Sequence, residues 1–167
     1  MYLYGASGHA KVIIDSLEAS GKHISGIFDD NPAVKQLLDF EVAGPFDGVR
    51  LGKEELIISV GLNNIRKKIV ENLPKTIRYG KAIHPSAIIS ENATIGFGTV
   101  VMQGAVIQSS VSIGSHCIIN TTASVDHDCI IDDYVHISPN ATLCGNVSVG
   151  EGSQIGSGAV VIPGIKI

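Results

Sequence analysis

Residues 107–125 read IQSSVSIGSHCIINTTASV, and an aliphatic side chain stands at every sixth position of this stretch. The same interval runs from Ile83 to Ile167, where all fifteen positions are Ile, Val or Leu and no insertion interrupts them. A period of six fits neither the 3.6-residue turn of an α-helix nor the alternating faces of a simple strand. It predicts short strands joined by tight turns, with three hexads, about 18 residues, closing one triangular coil.

The side chains of this repeat also suit a stack of coils. The residue four positions after each aliphatic one is small or of modest size, as at Ala87, Ala105 and Ala123. We expect the large side chain to fill each corner of the coil and the small one to prevent overpacking there. Stacked coils satisfy one another's backbone groups, so fourteen complete hexads predict an all-β solenoid of between four and five coils. Because Ile167 opens a hexad without a cap, we expect the natural protein to continue beyond it.

The first half of the chain has a different chemistry. It holds eleven of the twelve Lys and Arg residues, and only Lys166 is basic from Ile83 onward. We therefore expect two domains, residues 1–82 and residues 83–167. Strand signals at 2–4, 24–28 and 56–60 alternate with helix signals from residue 10 and through Arg66, which predicts a small parallel α/β domain of Rossmann-like type. The basic run from Arg66 to Lys68 is expected to be the solvated face of its helix.

The overall composition excludes several classes of protein. With 44% hydrophobic and 17% charged residues, the chain is not intrinsically disordered. A net charge of −4 without a basic run argues against nucleic acid or a membrane surface as partner. No apolar stretch reaches the roughly 18–20 residues of a spanning helix, and the amino terminus is no signal peptide. Three cysteines without a Cys-x-x-Cys pair make a poor disulfide framework, so we expect a soluble, reduced, cytoplasmic protein.

His127 is the residue of the solenoid that most suggests chemistry. It lies two positions after a corner aliphatic residue, near the outer surface, and Asp126 and Asp128 flank it. A carboxylate bonded to one ring nitrogen fixes the tautomer and raises the basicity of the other nitrogen, as a general base requires. Gly145 follows 18 residues later, so it is predicted one coil further along, where its N–H suits a developing oxyanion; a tight corner explains this glycine equally well.

In the first half, a glycine-rich turn and two acidic residues mark a candidate ligand site. The turn contains Gly5, Ser7, Gly8 and His9, follows a strand and opens a helix, where backbone N–H groups can hold a diphosphate. It is not Gly-x-Gly-x-x-Gly, so a dinucleotide cofactor is not indicated. Strand ends supply the other candidates, for which ordinary solvated turns remain the alternative: Asp29 and Asp30 for a ribose or base, and Gly61 and Asn63 for the same ligand.

The hexad half resembles the left-handed β-helix acyltransferases that take acetyl from acetyl-CoA. The resemblance is carried by residues 119–146, INTTASVDHDCIIDDYVHISPNATLCGN, together with the turn Gly5–His9 and Asp29-Asp30. Across the whole chain it points to the nucleotide-sugar N-acetyltransferases of bacillosamine-type pathways, which share their two-domain plan with sialic-acid O-acetyltransferases. It implies an acetyl-CoA-dependent enzyme that acetylates the 4-amino group of a UDP-amino-sugar, bound by the first domain.

The resemblance also implies roles for individual residues. His127 becomes the base that deprotonates the attacking amine, and Asp128 its acidic partner, although many relatives have Glu there. His136 is expected to position the substrate or the acetyl carbonyl, and Asn120 to line the site. The family is usually trimeric, so His136, half a coil from His127, is expected to meet it across a subunit interface. Gly145 and His136 are the predicted contacts of the acetyl-CoA thioester.

Alternative functions follow from the same residues. One is O-acetylation of a sialic acid or another nucleotide-linked sugar, since the same base serves a hydroxyl group. Another is a non-catalytic hexad scaffold, against which the Asp-His-Asp triplet and the added nucleotide-type domain argue. Zinc is a minor possibility, because His116, His127 and His136 are spaced by 11 and 9 residues and match no standard ligand pattern. No metal is expected, and cysteines near the corners are poor nucleophiles.

Overall fold

A three-stranded parallel sheet opens the computed structural model of the protein, which describes residues 1–46 and 51–167. Its strand order is β2-β1-β5, and a helix follows the first and the last of its strands in sequence. The elements of this part are β1 (Tyr2–Tyr4), α1 (Gly8–Ala19), β2 (Gly26–Phe28), β3 (Gln36–Leu37), β4 (Phe40–Glu41), β5 (Leu56–Ile58) and α2 (Asn63–Asn72). The predicted α/β unit is confirmed, with strands shorter than expected and an antiparallel β3–β4 hairpin that sequence patterns did not indicate.

The rest of the chain contains fourteen strands of two residues each, joined by turns, between residues 82 and 161. They are β6 (Ala82–Ile83), β7 (Ile88–Ile89), β8 (Thr94–Ile95), β9 (Val100–Val101), β10 (Val106–Ile107), β11 (Ser112–Ile113), β12 (Ile118–Ile119), β13 (Ser124–Val125), β14 (Ile130–Ile131), β15 (His136–Ile137), β16 (Thr142–Leu143), β17 (Ser148–Val149), β18 (Gln154–Ile155) and β19 (Val160–Val161). Every third strand lies in the same sheet, so the chain winds around a triangular prism. The predicted solenoid is confirmed.

The three faces of the prism are parallel sheets. Face 1 has the order β19-β16-β13-β10-β7, face 2 the order β17-β14-β11-β8, and face 3 the order β18-β15-β12-β9-β6. Pairing joins residues 18 apart, as between Val106 and Ser124. Each coil is therefore hydrogen-bonded to the next through its backbone; the Val106 N–H, for example, donates to the Ala123 carbonyl at 2.9 Å.

Inside the prism the hexad pattern becomes one continuous apolar core. The second residue of each strand points inward, and Val101, Ile119 and Val125 are fully buried. The small residue before each strand lies in the same core, as Ala105 and Ala123 do. Large and small side chains thus alternate along the chain, which fills the narrow interior without strain.

Helix α1 covers face 3 of the prism. Its buried residues include Ile13, Ile14 and Leu17, and they share one core cluster with Val100 and Ile118, which are the outward residues of β9 and β12. The α/β part is therefore packed onto the solenoid by the same burial of apolar surface that holds each part together. Helix α2, which follows β5, also reaches the solenoid, because Asn63 Nδ2 donates a hydrogen bond to the Gly152 carbonyl.

The prediction that Arg66 of helix α2 is solvated is wrong. Arg66 was expected on the solvated face of this helix, but its side chain is 1% exposed, and its Nε donates a hydrogen bond of 2.7 Å to the carbonyl of His116 in the solenoid. The helical pattern alone does not reveal this, because the burying partner is fifty residues away in sequence. The neighbouring Lys67 behaves as predicted: it is exposed and pairs with Glu151.

The turns of the solenoid share one backbone conformation, which recurs at a fixed position of the hexad. From residue 98 to residue 164, every sixth residue has a positive φ between 54° and 74°. Glycine occupies only some of these positions; the others are Ser110, His116, Thr122, Asp128, Tyr134, Asn140 and Asn146. A residue with a Cβ is strained in this left-handed region, by about 1–2 kcal/mol. The repeat therefore imposes a local cost that its packed core offsets.

This cost predicts an unusual effect of glycine at Ser110, an exposed residue with φ of 62°. Ser110→Gly is expected to raise the free energy of unfolding by about 0.5–1 kcal/mol, because relief of strain exceeds the entropy that glycine adds to the unfolded chain. Ser112→Gly, the matched control in strand β11, is expected to lower it by about 0.5–1 kcal/mol. Denaturant unfolding of both variants tests this, and equal destabilisation by the two would contradict it.

Candidate active site

The turn after strand β13 presents His127 at the edge between faces 1 and 2 of the prism. Its side chain is 60% exposed, and its Nδ1 lies 2.7 Å from an Oδ2 of Asp128. Asp128 occupies one of the left-handed turn positions, with φ of 61°. The imidazole therefore carries its proton on Nδ1, as the donor to the carboxylate, and Nε2 is left as a free base.

The acidic neighbours of His127 also set its basicity. The hydrogen bond that His127 donates to Asp128 and then the charge of Asp126 raise the pKa of His127 above its ordinary value of 6.5. Asp126 is itself fixed, since its Oδ1 accepts the His127 backbone N–H at 2.8 Å. Sequence analysis named Asp126 only as a neighbour, and the structure shows that its carboxylate is held against the backbone of the base.

Gly145 lies directly beside the His127 ring, one coil further along the solenoid. A Cβ at this position would come within 2.6 Å of Cε1 and 2.7 Å of Nε2, so any larger residue would displace the imidazole. The adjacent Asn146 N–H bonds to the His127 carbonyl at 2.9 Å, which locks the two turns in register. Among the described residues nothing accepts a hydrogen bond from the Gly145 N–H.

His136 and Asn120 form a second polar pair on face 3 of the prism. The Nδ2 of Asn120 lies 2.9 Å from Nε2 of His136, so the amide donates and the ring nitrogen accepts. The proton of the neutral ring is then on Nδ1, which is buried and has no partner among residues 1–46 and 51–167. Burial and, after it, the charge of Arg66 lower the pKa of His136 to about 4, so the ring is neutral at pH 7.

His9 joins this pair from the α/β part. It stands at the start of helix α1, and its Nε2 is also buried without a partner in the described part of the chain. Burial, then His136, then Arg66 lower the pKa of His9 to about 4. Two neutral imidazoles, one from each half of the sequence, thus stand close together with one unpaired nitrogen each. An unpaired buried polar atom is costly and marks a place where a ligand can supply the missing partner.

The glycine-rich turn is braced by the two acidic residues of the second strand end. Asp29 accepts the Ala6 N–H at 2.6 Å through Oδ2, and Asp30 accepts the Tyr4 hydroxyl at 2.7 Å through Oδ2. Gly5 has φ of 114°, and a Cβ there would lie 3.2 Å from the Ser59 carbonyl, so the turn requires glycine. Ser7 and Gly8 follow, exposed at the beginning of α1, where free N–H groups can meet an anion.

The other predicted residues of the first half lie nearby. A Cβ on Gly61 would be 3.9 Å from Cβ and Cγ of His9, so the loop before α2 is in contact with the histidine. Asn63 is engaged by the protein itself: its Nδ2 donates to the carbonyls of Gly152 and Ser153, each at 3.0 Å. Its expected contact with a ligand therefore stays a prediction, while its contact with the solenoid is a finding.

The predicted site residues form two groups within one chain. His127, Asp128 and Gly145 lie at the edge between faces 1 and 2, whereas Asn120 and His136 lie on face 3 beside His9, Gly61 and the glycine-rich turn. Half a coil separates the groups, as the spacing predicts. The residue that sequence reasoning missed is Arg66, and no signal in an ordinary basic run distinguishes it.

Two further properties bear on the chemistry of the site. Within the described residues, no group of three or more His, Cys, Asp or Glu side chains is placed to hold a metal ion. Cys117 is buried, and burial raises the pKa of its thiol to about 12, which makes it a poor nucleophile.

No helix in residues 1–46 or 51–167 has the length and apolar character needed to cross a bilayer.

Comparison with protein families and known sequences gives matches to both parts of the chain. Residues 1–73 match the PglD N-terminal domain, and residues 128–163 match the bacterial transferase hexapeptide repeat (six repeats). GDP-perosamine N-acetyltransferase of Escherichia coli O157:H7 is 28% identical over 177 residues, covering 98% of this chain and 78% of the relative. UDP-N-acetylbacillosamine N-acetyltransferase of Bacillus subtilis is 45% identical over 109 residues, which cover 59% of this chain and 49% of that protein.

Solved structures match the entire fold. A mutant of perosamine N-acetyltransferase from Caulobacter crescentus, crystallised with CoA and GDP-perosamine, has a TM-score of 0.92 and 37% identity, covering 99% of this chain and 80% of its own. The acetyltransferase domain of PglB from Neisseria gonorrhoeae, in complex with acetyl coenzyme A, has a TM-score of 0.90 and 36% identity, with coverage of 99% and 82%. On this agreement of sequence and fold, the chain belongs to the left-handed β-helix, hexapeptide-repeat family of sugar N-acetyltransferases.

Proposed function

We propose that this protein transfers acetyl from acetyl-CoA to the 4-amino group of a nucleotide-linked amino sugar, with His127 as the general base. The observation that carries the proposal is the state of that imidazole. It is exposed, its Nδ1 is held by Asp128, and its pKa is raised by that hydrogen bond and by Asp126. These are the properties of a base that works near neutral pH.

The reaction needs one proton transfer and one acyl transfer. The neutral amine attacks the thioester carbonyl, forming the C–N bond, while Nε2 of His127 takes the proton that the nitrogen loses. The carbonyl oxygen becomes negative, and the Gly145 N–H, which no described residue accepts, is the proposed donor to it. The C–S bond then breaks, and the proton on His127 passes to the departing thiolate of CoA. Asp128 stays ionised and stabilises the imidazolium in between.

The first half of the protein is the proposed site of the nucleotide. Ser7 and Gly8 are exposed at the start of α1, and the N–H groups of such a helix start favour a diphosphate. Asp29 and Asp30 brace the turn and stand at the strand ends where the ribose and base bind in such units. His9, His136 and Asn120 surround the place where the sugar would then lie, with two ring nitrogens still unpaired.

For the nucleotide we propose uridine diphosphate, because the relative with 45% identity acts on a UDP sugar. Two relatives that resemble this chain along most of its length are named for GDP-perosamine or were crystallised with it, so guanine is the competing base. O-acetylation of a sialic acid or its CMP form would use the same catalytic base. The residues near that base therefore do not distinguish a hydroxyl acceptor from an amine, and only assays with each substrate do. A panel of acceptors therefore decides among these.

The first test measures release of CoA thiol from acetyl-CoA with UDP-, GDP- and CMP-linked sugars as acceptors. We expect transfer to a UDP-4-amino-sugar, and His127→Ala is expected to lower turnover by about 10²–10⁴ with nearly unchanged affinity for the acceptor. His23→Ala is the control and should not change turnover, because this exposed histidine lies in the loop before β2, at the opposite end of that strand from Asp29. Unaltered turnover in the His127 variant refutes the base, and transfer only to GDP or CMP sugars refutes the proposed nucleotide.

The second test uses pH. A raised pKa means that His127 is protonated, and inactive as a base, below a pH somewhat above 6.5. In Asp128→Asn the carboxylate is gone, so the pKa falls and the acid limb of kcat/KM is expected to move to lower pH. The maximal rate is expected to fall by about tenfold or more, because the tautomer is no longer fixed. An acid limb that stays in place, or moves to higher pH, contradicts the role of Asp128.

We further propose that the protein works as a homotrimer and that each site is shared by two subunits. Outward side chains on faces 1 and 2 include Ile88, Ile130 and Val160, which are 68%, 54% and 67% exposed in the single chain. Packing of three prisms by these faces would bury them. It would also bring His127 of one copy towards His136 of the next copy. Within one chain, half a coil separates these two residues.

A mixing experiment tests the shared site. His127→Ala and His136→Ala subunits, each inactive alone, are unfolded, mixed in equal amounts and refolded together. If the site combines one residue from each of two subunits, random trimers regain about a quarter of the wild-type sites. No recovery at all, or a molar mass in light scattering equal to the 17.5 kDa monomer, contradicts the proposal.

A further inference from the structure

Arg66 is the buried cation at the junction of the two parts of the chain. Its side chain is 1% exposed, and each of its five N–H donors has an acceptor. The acceptors are the carbonyl of His116 for Nε (2.7 Å), the carbonyls of Val60 (3.0 Å) and Gly61 (3.1 Å) for Nη1, and the Asn63 Oδ1 (2.7 Å) and Tyr134 carbonyl (3.0 Å) for Nη2. The rigid fork of a guanidinium can meet this set, whereas the ammonium of lysine cannot.

The charge of Arg66 is not neutralised nearby. Among residues 1–46 and 51–167 no carboxylate forms a salt bridge with it, and burial lowers its pKa to about 10. Burying an unpaired cation is costly even when all its hydrogen bonds are made. An apolar side chain would leave the five acceptors of Arg66 without donors, so the guanidinium is the group that ties the two parts together at this point.

The acceptors of Arg66 lie on both sides of the crevice between the two parts. Val60 and Gly61 form the loop that touches His9 from the α/β side. Tyr134 and His116 belong to the solenoid, and Tyr134 comes two residues before His136 in the turn that leads into its strand. One guanidinium group therefore fixes the distance between the loop beside His9 and the wall that carries His136.

The pKa values of His9 and His136, one on each side, depend on this short distance between the loop and the wall. The groups that face His9 are His136 and Arg66, and Arg66 also faces His136. Their pKa values are lowered to about 4 mainly by burial, so a crevice that opened and admitted water would let both values rise. The charge of Arg66 acts in the same direction, because it disfavours protonation of both rings.

We propose that Arg66 is a positioning residue for acetyl transfer: it holds the Val60–Gly61 loop and His9 against the His136 wall, and so aligns the bound nucleotide sugar with the acetyl donor. This inference rests on the proposed function, and it adds a residue that sequence analysis assigned to the solvent. Among the described residues, Arg66 donates no hydrogen bond to the Gly5–His9 turn, where the diphosphate is proposed to bind. Loss of the guanidinium is therefore expected to affect the alignment of the acceptor more than its binding.

The test compares Arg66→Lys with Lys67→Ala. The lysine variant keeps the charge but cannot satisfy the acceptors on both sides. The control removes the adjacent side chain of the same helix, which also reaches the solenoid through its pair with Glu151. We expect Arg66→Lys to lower kcat per folded molecule by about 10–100-fold, with the Kd for the nucleoside diphosphate changed less than about threefold. Lys67→Ala is expected to leave both quantities within about twofold of wild type.

A second readout requires no activity. Histidine ring signals in NMR give the titration midpoints of His9 and His136, and in Arg66→Lys both are expected to move upward by about one pH unit or more. If Arg66→Lys does not fold, Arg66→Gln takes its place, because its amide keeps two N–H donors but cannot reach the acceptors on both sides.

The outcomes separate the two proposals. A wild-type protein that acetylates none of the nucleotide sugars overturns the proposed function, and the histidine midpoints then decide on Arg66 by themselves. Active wild type with an unchanged kcat per folded molecule in the Arg66 variant overturns the positioning role. Loss of kcat accompanied by a matching loss of folded protein, with unchanged midpoints, shows a purely structural residue and overturns it too.

Discussion

The backbone hydrogen bonds between successive coils are the constraint on which this structure depends. Each coil takes 18 residues, and strand pairs such as Ile107 with Val125 repeat at that distance throughout the prism. Apart from short turn bonds such as that from the Ala123 N–H to the Asn120 carbonyl, the backbone bonds of a coil go to neighbouring coils, so each one is stable only on its neighbour. The same bonds set the chemistry, because they stack Gly145 on His127 through the bond from Asn146 to the His127 carbonyl. The proposed base is thus positioned by main-chain register between neighbouring coils.

Three histidines of the protein show how environment alone assigns their roles. His127 is exposed beside two carboxylates, and its pKa is raised. His9 and His136 are largely buried near a cation, and their pKa values are lowered to about 4. The first is therefore the stronger proton acceptor of the three, while the other two are neutral at pH 7 and donate or accept hydrogen bonds. A separation of pKa values of this kind is typical of sites that divide acid–base work from binding.

Much of this could be read from the sequence, for a physical reason. The hexad period fixes where side chains point, so the solenoid, its register and the neighbouring positions of His127 and Gly145 follow from counting. The Asp-His-Asp triplet is local, and its hydrogen bond to Asp128 needs no tertiary information. Contacts between distant parts follow no such rule. The burial of Arg66 depends on the solenoid residues His116 and Tyr134, and the meeting of His9 with His136 depends on how α1 packs on face 3.

The unbroken hexad count has a consequence for how such a protein changes its length in evolution. Deleting one residue from any strand or turn between residues 83 and 167 would turn every later side chain away from its place, exchanging interior for surface. Gain or loss of a complete coil leaves each remaining contact as it was. Changes of length in this half of the molecule should therefore be whole coils or loop insertions at the edges of the prism. The α/β half, by contrast, can gain or lose single residues.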